Sequence, residues 1–102
     1  MSNKSFGLGV ERKAKEILKQ EGWTPARCRG SFGVFDIIAM HPEKGYRLIQ
    51  IKSTKQQYYS YSKEIEEIRK LKIPENTKKE LWIWLSPNQK RKKRGWQIIE
   101  IV

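Results

Sequence analysis

Four polar side chains sit where their type and spacing allow chemistry: Glu11, Asp36, Gln50 and Lys52. Asp36 is the only aspartate of the chain and falls inside the apolar run Val34 to Met40 (VFDIIAM). An ionised side chain is expensive there unless it is paired or bound to a metal. Gln50 and Lys52 are two residues apart in a second strand-like run, Tyr46 to Ser53 (YRLIQIKS). A period of two sends both to one face and Ile49 and Ile51 to the other. If the two runs close as an antiparallel hairpin with Met40 opposite Tyr46, Asp36 falls opposite Gln50. A carboxylate, an amide oxygen and an ammonium then share one patch. Carboxylate and amide oxygens are hard ligands suited to Mg²⁺ or Mn²⁺, which keeps several waters and binds phosphate oxygens. A neighbouring lysine stabilises charge at a scissile phosphate or helps to orient and deprotonate a metal-bound water. The chemistry so assembled is phosphodiester hydrolysis.

The elements that must position these residues are legible in the pattern. Val10, Ala14, Ile17 and Leu18 recur at helical spacing from about Gly9 to Glu21, and Gly22 ends the helix. Glu11 shares a side with Ala14 and Leu18, at the margin of the buried stripe, and offers a fourth polar group to the sheet; its bland alternative is an i,i+4 pair with Lys15. Trp23 to Arg29, broken by Pro25, suits an edge strand. After the Gly30–Gly33 turn comes the hairpin. Ser60 or Ser62 is placed to cap a helix that runs to about Lys72 with Ile65, Ile68 and Leu71 on one side, and Pro74 stops it. Leu81 to Leu85 and Trp96 to Val102 read as two further strands. The order α-β-β-β-α-β-β describes an α/β domain, residues 1–102, with a mixed sheet flanked by helices. Trp82 and Trp84 share one face of their strand and Leu81, Ile83 and Leu85 the other, which assigns that strand to the core or to a subunit interface.

Charge narrows the partner. Lys and Arg number 22 against 11 Asp and Glu, a formal net charge of +11 on 102 residues, which suits nucleic acid better than an acidic small molecule or a membrane surface. No apolar run approaches the roughly 20 residues that cross a bilayer, and no secretion signal is visible, so a cytoplasmic protein is expected. Five consecutive cations, Lys90, Arg91, Lys92, Lys93 and Arg94, repel one another and gain most when phosphates neutralise them. Arg27, Arg29, Lys55 and Tyr58 are assigned to nucleic-acid contact with them; Tyr58, Tyr59 and Tyr61 either stack on bases or form a dimer contact. Cys28 has no base beside it in sequence and reads as a strand residue, and His41, next to Pro42 in a turn, as a surface residue.

Glu11 on the first helix, Asp36 on one strand and Gln50-Ile51-Lys52 on the next resemble the PD-(D/E)xK nuclease superfamily, and most nearly its archaeal Holliday-junction resolvases. The likeness covers most of the chain, including Lys52-Ser53 and the following Tyr58 to Glu67 (YYSYSKEIEE). It implies a restriction-endonuclease-like core and a metal-dependent endonuclease, a homodimer acting on branched or duplex DNA. Glu11, Asp36, Gln50 and Ile51 would surround Mg²⁺ or Mn²⁺, with Lys52 catalytic and Ser31 assisting from the loop before Asp36. Two departures stand out: Gln50 occupies a position usually held by Glu or Asp, and Val34-Phe35 stands where a proline commonly precedes the aspartate. An amide oxygen ligates without negative charge, so affinity for the ion should fall and lean more on Glu11. The competing expectations are a non-catalytic basic DNA-binding module on the same fold, with a degenerate metal site, and an RNA-binding domain indifferent to Asp36.

Overall fold

The computed structural model describes residues 2–28, 34–55, 60–86 and 95–102. Its elements run α1 (Ser2–Gln20), β1 (Thr24–Arg27), β2 (Ile37–His41), β3 (Gly45–Thr54), α2 (Ser62–Lys70), β4 (Thr77–Leu85) and β5 (Gly95–Ile101). The expected order is therefore observed. The five strands lie in the sheet as β1-β2-β3-β4-β5, with β3 and β4 parallel and every other pair antiparallel. The hairpin register is the anticipated one, Met40 opposite Tyr46.

Several boundaries move for identifiable reasons. Helix α1 starts at Ser2, seven residues before the Gly9 of the sequence reading: glycine costs a helix only about 1 kcal/mol relative to alanine, which does not break one. Its C-terminus is a Schellman turn, with Gly22 N donating to Lys19 O (3.1 Å), Trp23 N to Leu18 O (2.9 Å) and Gly22 at φ +93°. Strand β2 begins at Ile37 rather than Val34. Helix α2 has Tyr61 at its N-cap and no side-chain cap, so neither Ser60 nor Ser62 fills that role, and it ends at Lys70, short of Lys72. At that end the buried Lys79 donates to Arg69 O and Leu71 O, both at 3.0 Å, and satisfies carbonyls that the helix leaves open.

Strand alternation builds two apolar layers. Ala14 and Leu18 of α1 pack on Ile37, Ala39, Ile49 and Trp82; on the other face Ile68 of α2 packs with Phe35, Leu48, Leu81, Ile83 and Ile101. Strands β3 and β4 are thus apolar on both sides, as fits the middle of a covered sheet. One ionic group is sunk into this frame. Glu80, 3% exposed, takes two hydrogen bonds of 2.8 Å from the Arg47 guanidinium and a third of 2.8 Å from Trp82 Nε1. Arg47 lies over Trp23 and Trp82, 5.0 and 5.6 Å from the ring centres. Removing one partner of such a pair strands a buried charge. Arg47→Met should therefore destabilise the fold by about 3–5 kcal/mol, read as a lower urea midpoint, whereas a loss below about 1 kcal/mol would show that Glu80 is relieved by water.

Candidate active site

The end of β2 and the C-terminal half of β3 bring the sequence-selected residues together through the backbone. Asp36 N donates to Ile49 O at 2.8 Å, although Ile49 already faces Ile37 in the register. Two residues on one side thus meet one on the other, the arrangement of a β-bulge, which re-aims a side chain. The Asp36 carboxylate then reaches along β3 and accepts Ile51 N–H at Oδ2, 2.7 Å away. Asp36 therefore does not simply face Gln50, as a symmetric hairpin would have it; it holds both chain neighbours of Gln50. This is why β2 is shorter than its apolar run: beyond Ile37 a side chain takes over where the backbone ladder stops.

Gln50 itself is buried, 8% exposed, and among the described residues its Oε1 has no hydrogen-bond partner. A buried acceptor left open costs about 1–3 kcal/mol. By alternation Gln50 and Lys52 follow Leu48 onto the α2 face, and Ile49 and Ile51 pack on the α1 face. Glu11 sits in the α1 layer. Its carboxylate accepts from Arg27 Nε at 3.1 Å, a partner on β1 rather than the Lys15 of the bland alternative. Arg27, assigned from sequence to nucleic acid, thus ties Glu11 to the end of β1, and the next residue, Cys28, donates its N–H to Asp36 O at 2.9 Å. The structure joins Asp36 to Ile51 and Glu11 to Arg27, and it records no direct bond between those two pairs. Lys55 is exposed just past β3. Ser31, Arg29, Tyr58 and the run Lys90 to Arg94 lie outside the described residues.

The donor set fits a hard divalent ion. It offers the Asp36 carboxylate and an unpartnered buried amide oxygen, with Ile51 held against the carboxylate. Among the described residues there is no cluster of three or more His, Cys, Asp or Glu able to hold a metal; here one donor is an amide instead. Sequence reasoning missed the bulge and the Arg27 link. Strand pairing of Arg27 with Ile37 could have signalled the second, because residues opposite one another share a face; no signal in the sequence marks the first.

The sequence model of the family described as archaeal Holliday junction resolvase (Hjc) matches residues 2–102. Among solved structures, that of Archaeoglobus fulgidus Hjc, described as a Holliday junction resolvase from an archaeal hyperthermophile, superposes with a TM-score of 0.68. It is 21% identical and covers 93% of this chain and 72% of its own. That likeness shows a shared fold. No curated protein sequence matches the chain.

Burial lifts the Asp36 carboxyl above the ordinary aspartate value of 3.8; the Ile51 hydrogen bond and the charges of Lys52 and Arg27 pull it down and offset this only in part. Burial first, and the Asp36 charge second, push the Cys28 thiol up as well. A raised carboxyl means that the native state binds more protons than the unfolded one between the two values. Stability therefore falls as pH rises through that window, and the ionised Asp36 is carried at a cost at neutral pH. Asp36→Asn keeps an oxygen for Ile51 N–H and removes the charge. It should melt higher than the wild type at pH 7, with the gain fading as pH drops through the acid range; thermal scans of both proteins from pH 7 to pH 4 check this, and an Asn variant that melts lower at pH 7 contradicts it.

Proposed function

The chain belongs to the archaeal Holliday junction resolvase family, within the PD-(D/E)xK nuclease superfamily, and from that premise we propose that it is a divalent-metal-dependent endonuclease that hydrolyses phosphodiesters of branched DNA. The observation that supports this most is the buried Oε1 of Gln50, without a partner among the described residues, on the residue whose two neighbours Asp36 holds. An acceptor kept dry and open beside an ionised carboxylate is suited to a cation.

In this reading Asp36, Gln50 and Ile51 would hold Mg²⁺ or Mn²⁺ with Glu11 approaching from the α1 layer, and a bound ion would supply Lewis-acid stabilisation of the phosphate and activation of the attacking water. Lys52, whose charge already acts on Asp36, orients that water or neutralises charge on the phosphate in the transition state. Asp36 keeps the strand end fixed through Ile51 N–H, so the donors need no rearrangement when substrate arrives. Arg27 holds Glu11, and the net charge of +11 draws DNA in. Ser31 is assigned an assisting role, and Arg29, Lys55, Tyr58 and Lys90 to Arg94 contact with the DNA backbone. A two-fold homodimer would present the site twice, as symmetric cutting of a four-way junction requires. Among the described residues no helix is long and apolar enough to cross a membrane, and the proposed setting is the cytoplasm, with the DNA.

A cleavage panel of four-way junction, flap, single strand and duplex with Mg²⁺ or Mn²⁺ tests the proposal. The junction should be cut. Asp36→Ala and Lys52→Ala should each lower the rate by about a hundredfold or more while binding persists. DNA binding without cutting under either metal would mark a non-catalytic DNA-binding module instead. Gln50→Glu restores a charge to the donor set, so half-maximal cutting should need about tenfold less Mg²⁺; an unchanged metal requirement would remove Gln50 from the ligands.

A further inference from the structure

Among the described residues helix α1 packs chiefly on β1, β2 and β3, and reaches the same face of β4 and β5 only through the core cluster that Ala14 and Leu18 share with Trp82 and Trp96 and through Lys13. Four apolar side chains lie there in register: Trp84 opposite Trp96 and, one step on, Trp82 opposite Ile98. Trp82 is fully buried, but Trp84 and Trp96 are only half-buried and Ile98 is 48% exposed. The indoles stand edge to face, Trp96 lying 5.4 Å from Trp82 and 5.1 Å from Trp84. Among the described residues the ammonium of Lys13 rests over Trp84, 5.6 Å from the ring centre. That cover is an exposed, flexible cation, which a phosphate can draw aside to leave the ring open.

We propose that Trp84, Trp96 and Ile98, with Lys13 at their margin, form a platform on which unpaired bases of a DNA strand stack. The proposal rests on DNA being the substrate and adds where its unpaired bases lie. Stacking on an indole tolerates any base, and cations beside it track the phosphates. Charge favours nucleic acid over a second copy of the chain as the occupant. Lys13 has exposed Arg12 beside it on α1, and β4 and β5 are joined in sequence by Lys90 to Arg94; two copies meeting here would set like charges against each other. Of the exposed acids near this face among the described residues, Glu16 is paired with Lys19 at 3.7 Å, and Glu100 lies beyond Ile98, toward the end of β5 away from Trp84 and Trp96.

The test uses the full chain in chelator, so that no strand is cut, with tryptophan fluorescence read during titration by a thymidine oligomer, a four-way junction and a fully paired duplex. Single strand should quench most, the junction next and duplex least. Trp84→Leu and Trp96→Leu should each weaken single-strand binding about fivefold or more and duplex binding less than twofold, and Lys13→Ala should lower the salt slope by about one. The wild-type quench needs no variant, so poor folding of a leucine variant leaves the idea testable. Absence of quenching, an equal loss on all three DNAs, or a dimer that Trp96→Leu dissociates without altering single-strand affinity would each overturn it. Cutting in Mg²⁺ without quenching overturns the platform alone; quenching without cutting overturns the nuclease alone.

Discussion

The site depends on one side chain doing the work of backbone. Asp36 gives its amide to Ile49 and its carboxylate to Ile51, and so continues the ladder of β2 past the point where the chain has turned away. A leucine or valine at this position would have no oxygen to offer, and β3 would lose a fixed neighbour beside Gln50 and Lys52. Burial pushes the same carboxyl up, and the Ile51 hydrogen bond with the charges of Lys52 and Arg27 offsets this only in part. Structural need alone is met by a neutral acceptor. The charge asks for a further reason, and a cation supplied from outside is the reason that the open Gln50 oxygen shares.

Two layers of the fold contribute to this arrangement differently. Gln50 and Lys52 come from the α2 side of β3, and Glu11 with Arg27 from the α1 side, so Asp36, bonded in the plane of the sheet, stands between them. Positioning by strands explains why the geometry tolerates so short a chain: register fixes Gln50 and Lys52 without any loop.

Much of this was legible because burial writes itself into spacing. The hairpin register, the edge position of β1 with its Pro25, the mixed sheet and the two-sided β4 all follow from periodicity and from where prolines and glycines fall. Asp36 was found as a charge in an apolar run. Hidden from the sequence were features set by tertiary contact alone. The bulge at Asp36 shortens a strand whose composition gives no warning, and Glu11 finds Arg27 sixteen residues away rather than Lys15 one turn along. Lys79 precedes the strand read from Leu81, and its ammonium closes the end of a helix ten residues earlier. Each is a polar group whose partner is distant in the chain, and pattern carries no information about such pairs.

Strand β3 is tied down at both ends. Near its start Arg47 is locked to Glu80, and Gly45, at φ +93°, fits against the backbone of Asn76, to which Tyr46 also donates at 2.8 Å. At its far end Asp36 fastens Ile51. A ribbon anchored twice cannot slide. Slippage by a single residue would exchange the two sides of the strand, driving the amide and the ammonium into the greasy layer beneath the first helix and offering isoleucines to any incoming phosphate; the double anchorage makes that error state inaccessible without first tearing out a buried guanidinium.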